Sequence, residues 1–315
     1  MKEVKIYAPA TIANLVCGFD VLGLCLNEPS DIMHVKLLDE KKVAIHSADG
    51  YKLPLDPTQN TAGAPLLAMI EEADLQVGFD VTIEKHIKPG SGIGSSAASA
   101  AGAVVAANIL LNHIFSKEDL VRFAMFGEKV ASGVKHADNI APCIYGGVTL
   151  IRSIFPLDII SIPAPLLYIT AVHPQIEVRT SDAREILRKE VLLRDAIRQW
   201  GNIAGLVAGL MKNDYKLIGR SLEDVIIEPV RRMLIPGFDE VKKSSIKAGA
   251  LGGGISGSGP SIFMLSRDNS TAKDVEKEMQ SIYDKIGLTY RTYVTTINNE
   301  GITIIPEKKN KENQI

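Results

Sequence analysis

The stretch from Pro89 to Ser99, PGSGIGSSAAS, runs without a break into an alanine-rich apolar segment ending near Leu111. Three glycines, Gly90, Gly92 and Gly94, recur at every second position, so the backbone can take positive φ and turn successive N–H groups toward one point. The following SSAASAAGAVVAANILL reads as a helix whose N-cap is Ser95 or Ser96. A helix opening from such a loop aims its positive end and its unpaired N–H groups at whatever the loop holds, and phosphate suits both. The spelling differs from familiar loops of this kind. A G-x-x-x-x-G-K-[ST] loop needs a Lys that is absent, G-x-G-x-x-G fails at Ser95, and no G-x-S-x-G elbow is present. On its own, the stretch also reads as a Gly/Ser turn before a core helix.

At 315 residues the chain is long enough for two domains or one large one. Its 35 basic and 37 acidic residues nearly cancel, and no basic block stands outside the tail, which argues against nucleic acid and for a small polar substrate. No apolar run of about 18 residues occurs, and the N-terminus enters an alternating, strand-like segment directly. Neither a membrane span nor a signal peptide is visible, so a cytoplasmic protein is expected. Cys17, Cys25 and Cys143 form no C-x-x-C pair and are odd in number, which fits buried small apolar residues better than a disulfide or zinc framework.

Strands are predicted at residues 3–7, 32–38, 43–47 and 77–84, the last leading into the glycine loop. Ser116 and Asp119 predict a capped helix of about 14 residues ending near Gly133, and VTLI follows Gly146 and Gly147 as a strand. Pro156, Pro163 and Pro165 interrupt regular structure and mark the expected boundary between domains at 1–160 and 161–306. Beyond it come the strand LLYITAV, helices from about Asp182 to Gly219, a helix near Asp239 to Lys247, the strand SIFML, an amphipathic helix from Ala272 to Ile286 and the strands RTYVTTI and ITII. That order predicts an α+β fold. The tail, residues 307–315, is expected to be disordered.

Four further segments accompany the glycine loop: APATIANLVCGFDVLGLCL (8–26), HADNIAPCIYGG (136–147), EPVRRMLIPGF (228–238) and GALGGGISGSGPSIF (249–263). In this order, over residues from about 4 to 297, they resemble the GHMP small-molecule kinase superfamily and within it the homoserine kinase family. The resemblance implies a two-domain fold, with an N-terminal domain like ribosomal protein S5 domain 2 and a ferredoxin-like C-terminal domain. It implies ATP-dependent phosphorylation of L-homoserine in threonine biosynthesis, with ATP as co-substrate and Mg2+ as cofactor, in a homodimer.

The same resemblance assigns residues. The ATP loop is Pro89, Gly90, Ser91, Gly92, Ile93, Gly94, Ser95, Ser96, Ala97 and Ser99, and Asn60 lines the adenine pocket. Ser96 and Glu128 match the metal positions, a hydroxyl and a carboxylate being hard oxygen donors suited to magnesium. By spacing alone Glu128 is a solvated helix residue. Asn14 and Asp20 match the pair at the substrate's amino end, and Arg184 and Arg231 match the carboxylate ligands, which a planar guanidinium reads in a bidentate way. His136 and Asn139 fall at the substrate hydroxyl, and Thr180 near the transferred group. Arg232 reads as a surface charge.

Relatives in the superfamily use an Asp as base, whereas the homoserine kinase pattern has Asn139 near that place and Asp138 as the neighbouring carboxylate. Transition-state stabilisation by magnesium, the helix N-terminus and nearby donors is the favoured reading. Two alternatives stand beside it: a GHMP kinase for a different small alcohol, which would have no ammonium for Asp20, and an ATP-binding regulatory protein without turnover. The segment GALGGGISGSGPS is expected to bring a second glycine-rich backbone up to the site.

Overall fold

The computed structural model describes residues 1–48, 51–178 and 180–306, so the expected disordered tail at 307–315 lies outside the described residues. The first sheet is built on two long antiparallel strands, β1 (Glu3–Ala13) and β2 (Leu22–Leu38). Around them lie β3 (Val43–Ser47), helix α1 (Gly63–Glu72) and β4 (Gly78–Glu84). Strand β4 pairs antiparallel with β2 and parallel with β3. Helices α2 (Ser95–Leu110), α3 (Lys117–Ser132) and α4 (Ile140–Tyr145) follow, then the hairpin β5 (Val148–Ile154) and β6 (Leu157–Ile162), attached to the start of β2.

Thirteen of the sixteen residues of α2 are buried, so this helix is the centre of the half and not a surface element. Its apolar residues surround the axis instead of forming one stripe, which is the pattern of a helix covered on all sides. Small side chains let it lie close to the sheet: a Cβ on Gly102 would meet Met33 Sδ at 2.3 Å and Ala8 Cβ at 3.1 Å. Helix α3 begins with the expected capping box, the Ser116 hydroxyl and Asp119 carboxylate bonding each other's backbone, and ends at Gly133 with φ +80°.

The second half contains β7 (Tyr168–Pro174), α5 (Thr180–Glu185), α6 (Leu193–Met211), α7 (Tyr215–Ser221), α8 (Glu228–Arg231), α9 (Phe238–Lys247), β8 (Gly252–Ile255), β9 (Ile262–Ser266), α10 (Asn269–Ile286) and β10 (Tyr290–Thr296). Its sheet order is β10-β7-β9-β8, all antiparallel. Numbered within the sheet that is 4-1-3-2, the ferredoxin-like arrangement. Alternate residues face opposite ways, as a pleated strand requires. Ile169, Ala171, Phe263 and Leu265 join the core that runs on into the first half, while Val172, Ile262 and Met264 pack with Phe238, Val275 and Met279 of α9 and α10.

Several boundaries differ from those predicted. Strand β1 continues past residue 7 to Ala13, and β2 begins ten residues before the predicted strand, through Pro29. The proline-punctuated stretch holds a strand, β6, with Phe155 and Pro156 at the tip of its hairpin with β5. The final strand β11 (Thr303–Ile304) pairs with β1 in the first sheet, returning the chain to the half where it began. All three cysteines are buried, as expected. Among the described residues no helix is long and apolar enough to cross a membrane.

Candidate active site

A cleft of about 620 Å3 lies where the two halves meet. The glycine loop and the start of α2 form one wall, the turn between β1 and β2 and the HADN segment another, and α5, Arg231 and the loop after β8 the third.

Gly90, Gly92 and Gly94 have φ of +75°, +81° and +74°, the left-handed conformation expected of an amide cradle. The cap of α2 differs from the expectation. Gly94 holds the N-cap position and no side chain closes the first turn. The two serines are engaged elsewhere: Ser95 Oγ donates to the Ile87 carbonyl at 2.9 Å, and Ser96 Oγ donates to Glu128 Oε2 at 3.0 Å. An N-terminus without a side-chain cap keeps its donors for an anion. Pro89, Gly90, Gly92, Gly94, Ser95, Ser96 and Ser99 line the cleft, whereas Ser91, Ile93 and Ala97 are buried and turn away from it.

The loop is held from behind and from the side. Lys85, buried under it, is ion-paired with buried Asp31 and donates to the Ser95 carbonyl at 2.9 Å and to Ser99 Oγ at 3.1 Å. From the second half, Ser256 Oγ and Ser261 Oγ donate to the carbonyls of Gly92 and Ser91 at 2.8 and 2.6 Å. This is the second glycine-rich approach expected from GALGGGISGSGPS. It leaves no room for side chains, since a Cβ on Gly92 would meet the Gly259 carbonyl oxygen at 2.5 Å.

Asn60 lines the far end of the cleft, but its amide faces inward. Oδ1 accepts from the backbone of Ala62 and Gly63 at 2.8 and 3.2 Å, and Nδ2 donates to the Pro54 carbonyl at 2.6 Å. The amide oxygen ties the turn before α1, leaving one N–H of the amide.

Glu128 is half-buried on α3, against the spacing-based reading of a solvated residue, because α3 packs across α2 and turns this position toward the cleft. Burial raises its carboxyl pKa above the usual range, and the Ser96 hydroxyl offsets part of that. A carboxylate short of charge partners beside a hydroxyl at a helix N-terminus fits a hard divalent cation. Among the described residues no cluster of three His, Cys, Asp or Glu forms a protein-only metal cage, so phosphate and water oxygens would complete the shell.

The third group of residues gathers from both halves. Residues 14–20 form a tight turn in which Asn14 and Asp20 have φ of +73° and +61°. Asn14 Oδ1 accepts from the Asp20 amide at 3.1 Å, and Nδ2 donates to the Gly257 carbonyl at 2.9 Å. Arg184 Nη2 lies 3.0 Å from each carboxylate oxygen of Asp20, and His136 Nδ1 lies 3.8 Å from Oδ1. Arg231 is buried, donating from Nε to the Ala183 carbonyl at 2.8 Å and from Nη1 to that of Gly257 at 3.1 Å. Burial and the neighbouring Arg184 lower its pKa to about 10. The neighbouring Arg232 sits outside, paired with Asp239, as expected of a surface charge.

Burial lowers the pKa of His136, and its Nε2 has no hydrogen-bond partner among the described residues. Asn139 Oδ1 accepts from the Thr11 hydroxyl at 2.8 Å. Thr180 Oγ1 lies 3.3 Å from Ser258 Oγ on the loop after β8. Asp138 is buried at the cleft wall, and burial, then Asp20 and Glu128, push its carboxyl up to about 7.

The cleft thus collects the residues expected from the sequence, apart from the three that turn inward. Sequence reasoning missed Thr11, Phe19, Lys85 and Ser258. Phe19 lay inside a quoted segment, and its ring carries both guanidiniums, with Arg184 Cζ 5.5 Å and Arg231 Cζ 5.0 Å from the centroid. Lys85 could have been found as a lone cation in the otherwise apolar alternation of the strand before the loop.

Residues 60–147 match the GHMP kinases N terminal domain and residues 206–285 the GHMP kinases C terminal family. A curated homoserine kinase of Chloroherpeton thalassium is 46% identical over 319 residues, covering 97% of this chain and 100% of the relative. The crystal structure of homoserine kinase from Cytophaga hutchinsonii superimposes with a TM-score of 0.93 at 47% identity, over 97% of this chain and 98% of that one. A galactokinase from Lactococcus lactis, 16% identical, shares the fold with a TM-score of 0.71 over 96% and 95% of the two chains.

Proposed function

This chain belongs to the homoserine kinase family of the GHMP kinases, and on that premise we propose that its cleft transfers the γ-phosphoryl group of ATP to the side-chain hydroxyl of L-homoserine. The observation that carries the reading is the Arg184–Asp20 ion pair, with Arg231 lining the same cleft, beside a left-handed glycine loop at a helix N-terminus. An amino acid presents adjacent ammonium and carboxylate groups. Asp20 with Asn14 suits the first, and Arg184 with Arg231 the second.

Phosphoryl transfer depends mainly on positioning and on stabilising charge. The amides of Gly90 to Ser96 cradle the phosphates, and Lys85 fixes that cradle through the Ser95 carbonyl and Ser99. Ser96 and Glu128 would hold Mg2+, which supplies neutralisation of charge developing on the phosphates. Asn139, fixed by Thr11, and His136 orient the homoserine hydroxyl, and Thr180 lies at the junction of the two substrates. As the hydroxyl oxygen bonds to the γ-phosphorus, the bond to the β-phosphate oxygen breaks and the hydroxyl proton passes to a phosphate oxygen or to water, giving O-phospho-L-homoserine and ADP. Preorganised donors lower the barrier without requiring a dedicated base. For the adenine, Asn60 contributes shape and at most one N–H, with the 51–61 segment enclosing the base.

For the homodimer, support comes from Leu193, Ile197, Trp200 and Met211, which expose an apolar stripe along one side of α6. The test of function is ADP release with Mg-ATP against L-homoserine, D-homoserine, L-threonine, mevalonate, galactose and shikimate. Turnover confined to L-homoserine is expected. Turnover of an alcohol lacking an ammonium would overturn the amino-acid assignments, and silence across the panel would favour nucleotide binding without catalysis.

A further inference from the structure

Arg231 is 3% exposed and sits beside a second cation, Arg184, whose own partner is Asp20. Its hydrogen bonds go to two neutral carbonyls, and among the described residues no carboxylate forms an ion pair with it, although Asp20, Asp138 and Asp224 lie near enough to attract it. Two like charges held side by side, one of them buried, repel each other, and surrounding groups must offset the repulsion. Beside those carboxylates, the neutral group in contact with both cations is Phe19, whose ring lies 5.5 Å from the Arg184 guanidinium carbon and 5.0 Å from that of Arg231.

An aromatic face attracts cations through its quadrupole while carrying no net charge. A carboxylate in that place would neutralise the arginines and cancel their attraction for an anion. An aliphatic side chain would add nothing to the attraction that Asp20, Asp138 and Asp224 already supply. The backbone that carries the ring is held on both sides, by the Gly18 amide bonded to the Asn14 carbonyl at 2.8 Å and the Asp20 amide bonded to Asn14 Oδ1 at 3.1 Å. One turn therefore supplies both the carboxylate that orients Arg184 and the ring that accepts both guanidiniums. Resting on the reading of the cleft as an amino-acid kinase site, we infer that Phe19 is a positioning residue for carboxylate recognition, holding Arg184 and Arg231 together while leaving their charge available to the substrate.

The test compares L-homoserine with 3-amino-1-propanol, the same amino alcohol without its carboxylate, in the wild type, Phe19→Leu and Phe19→Tyr. Phe19→Leu should raise the KM for L-homoserine about tenfold, the size of two partly buried cation–π contacts, with kcat and the KM for ATP within about twofold. Phe19→Tyr, which keeps the ring, should stay near wild type. The kcat/KM for 3-amino-1-propanol should be low and equal in all three proteins. If Phe19→Leu fails to fold, pentafluorophenylalanine at position 19 keeps the size of the ring and reverses its quadrupole, and should reproduce the rise in KM. An unchanged KM for L-homoserine, or an equal loss with both alcohols, would overturn the role of Phe19 while leaving the kinase reading intact. A wild type that is inactive on L-homoserine would overturn the reading itself and this assignment with it.

Discussion

Arg184 grips Asp20 across 164 residues of sequence, one Nη2 lying 3.0 Å from both carboxylate oxygens. Each side chain is about one-third exposed, at 35% and 32%, so water screens the pair and it contributes little to stability. Its importance lies in binding, because it sets a negative and a positive group side by side as an amino acid does. Asp20→Asn should leave folding within about 1 kcal/mol of wild type. The KM for L-homoserine should rise on the order of a hundredfold, as for loss of a charge-assisted bond, with the KM for ATP nearly unchanged. Steady-state kinetics with each substrate varied checks the split.

Two glycines of one loop should respond differently to the same substitution. Both Gly90 and Gly94 have left-handed φ, yet a Cβ on Gly90 meets nothing within 4 Å, while one on Gly94 would lie 2.0 Å from Thr11 Oγ1. Gly90→Ala should cost about 1 kcal/mol, the backbone penalty alone. Gly94→Ala adds overpacking against Thr11 and Asn139 and should cost about 2–4 kcal/mol in total. Urea denaturation of the two variants measures the difference.

Glu128→Gln should lower kcat by about two decades or more and move the Mg2+ midpoint upward, and EDTA should abolish turnover of the wild type. Folding should move the other way. Burial raises the Glu128 pKa, so its stabilising contribution is fully present below the unfolded pKa and is lost as pH rises through the folded one. At pH 7 without metal, the Gln variant should be as stable as wild type or more so.

Asp138 makes a sharper pH prediction, with a folded pKa of about 7 against a reference of 3.8. Unfolding between those values releases a proton, so the wild type loses stability on the order of a few kcal/mol as pH rises from about 4 to about 7. Asp138→Asn should flatten that part of the melting-temperature profile. It should also keep substantial kcat if preorganised electrostatics suffice, whereas a loss of about four decades in a folded protein would assign Asp138 as the base.

The elements best read from sequence are those whose causes are local. The Ser116–Asp119 capping box spans three residues, and α2 follows the glycine loop as expected, though its N-cap is Gly94 and not a serine. Less was legible where local letters conflict with distant packing. The sequence predicts this strand only from residue 32, yet β2 begins at Leu22 and runs through Pro29, with Ser30 paired to Pro9 of β1. Asn60 was readable as a turn residue, and in hydrogen bonding it is one, because two backbone amides reach its oxygen before any ligand does. Strand β11 is too short to reveal its partner, and only the finished sheet offers it the edge of β1.

The amino-acid sequence by itself determined the kinds of group available and where the backbone must bend: a glycine cradle at a helix start, an α+β order of elements, and arginines and carboxylates in segments resembling those of a known family. Tertiary structure decided which groups meet. Arg184 with Asp20, Ser261 with Ser91, and Phe19 beneath two guanidiniums all depend on the two halves closing over one cleft. The physical reason is range. Periodicity and capping report neighbours a few residues apart, whereas a hydrogen bond forms only when two atoms come within about 3 Å, which packing of the whole chain decides.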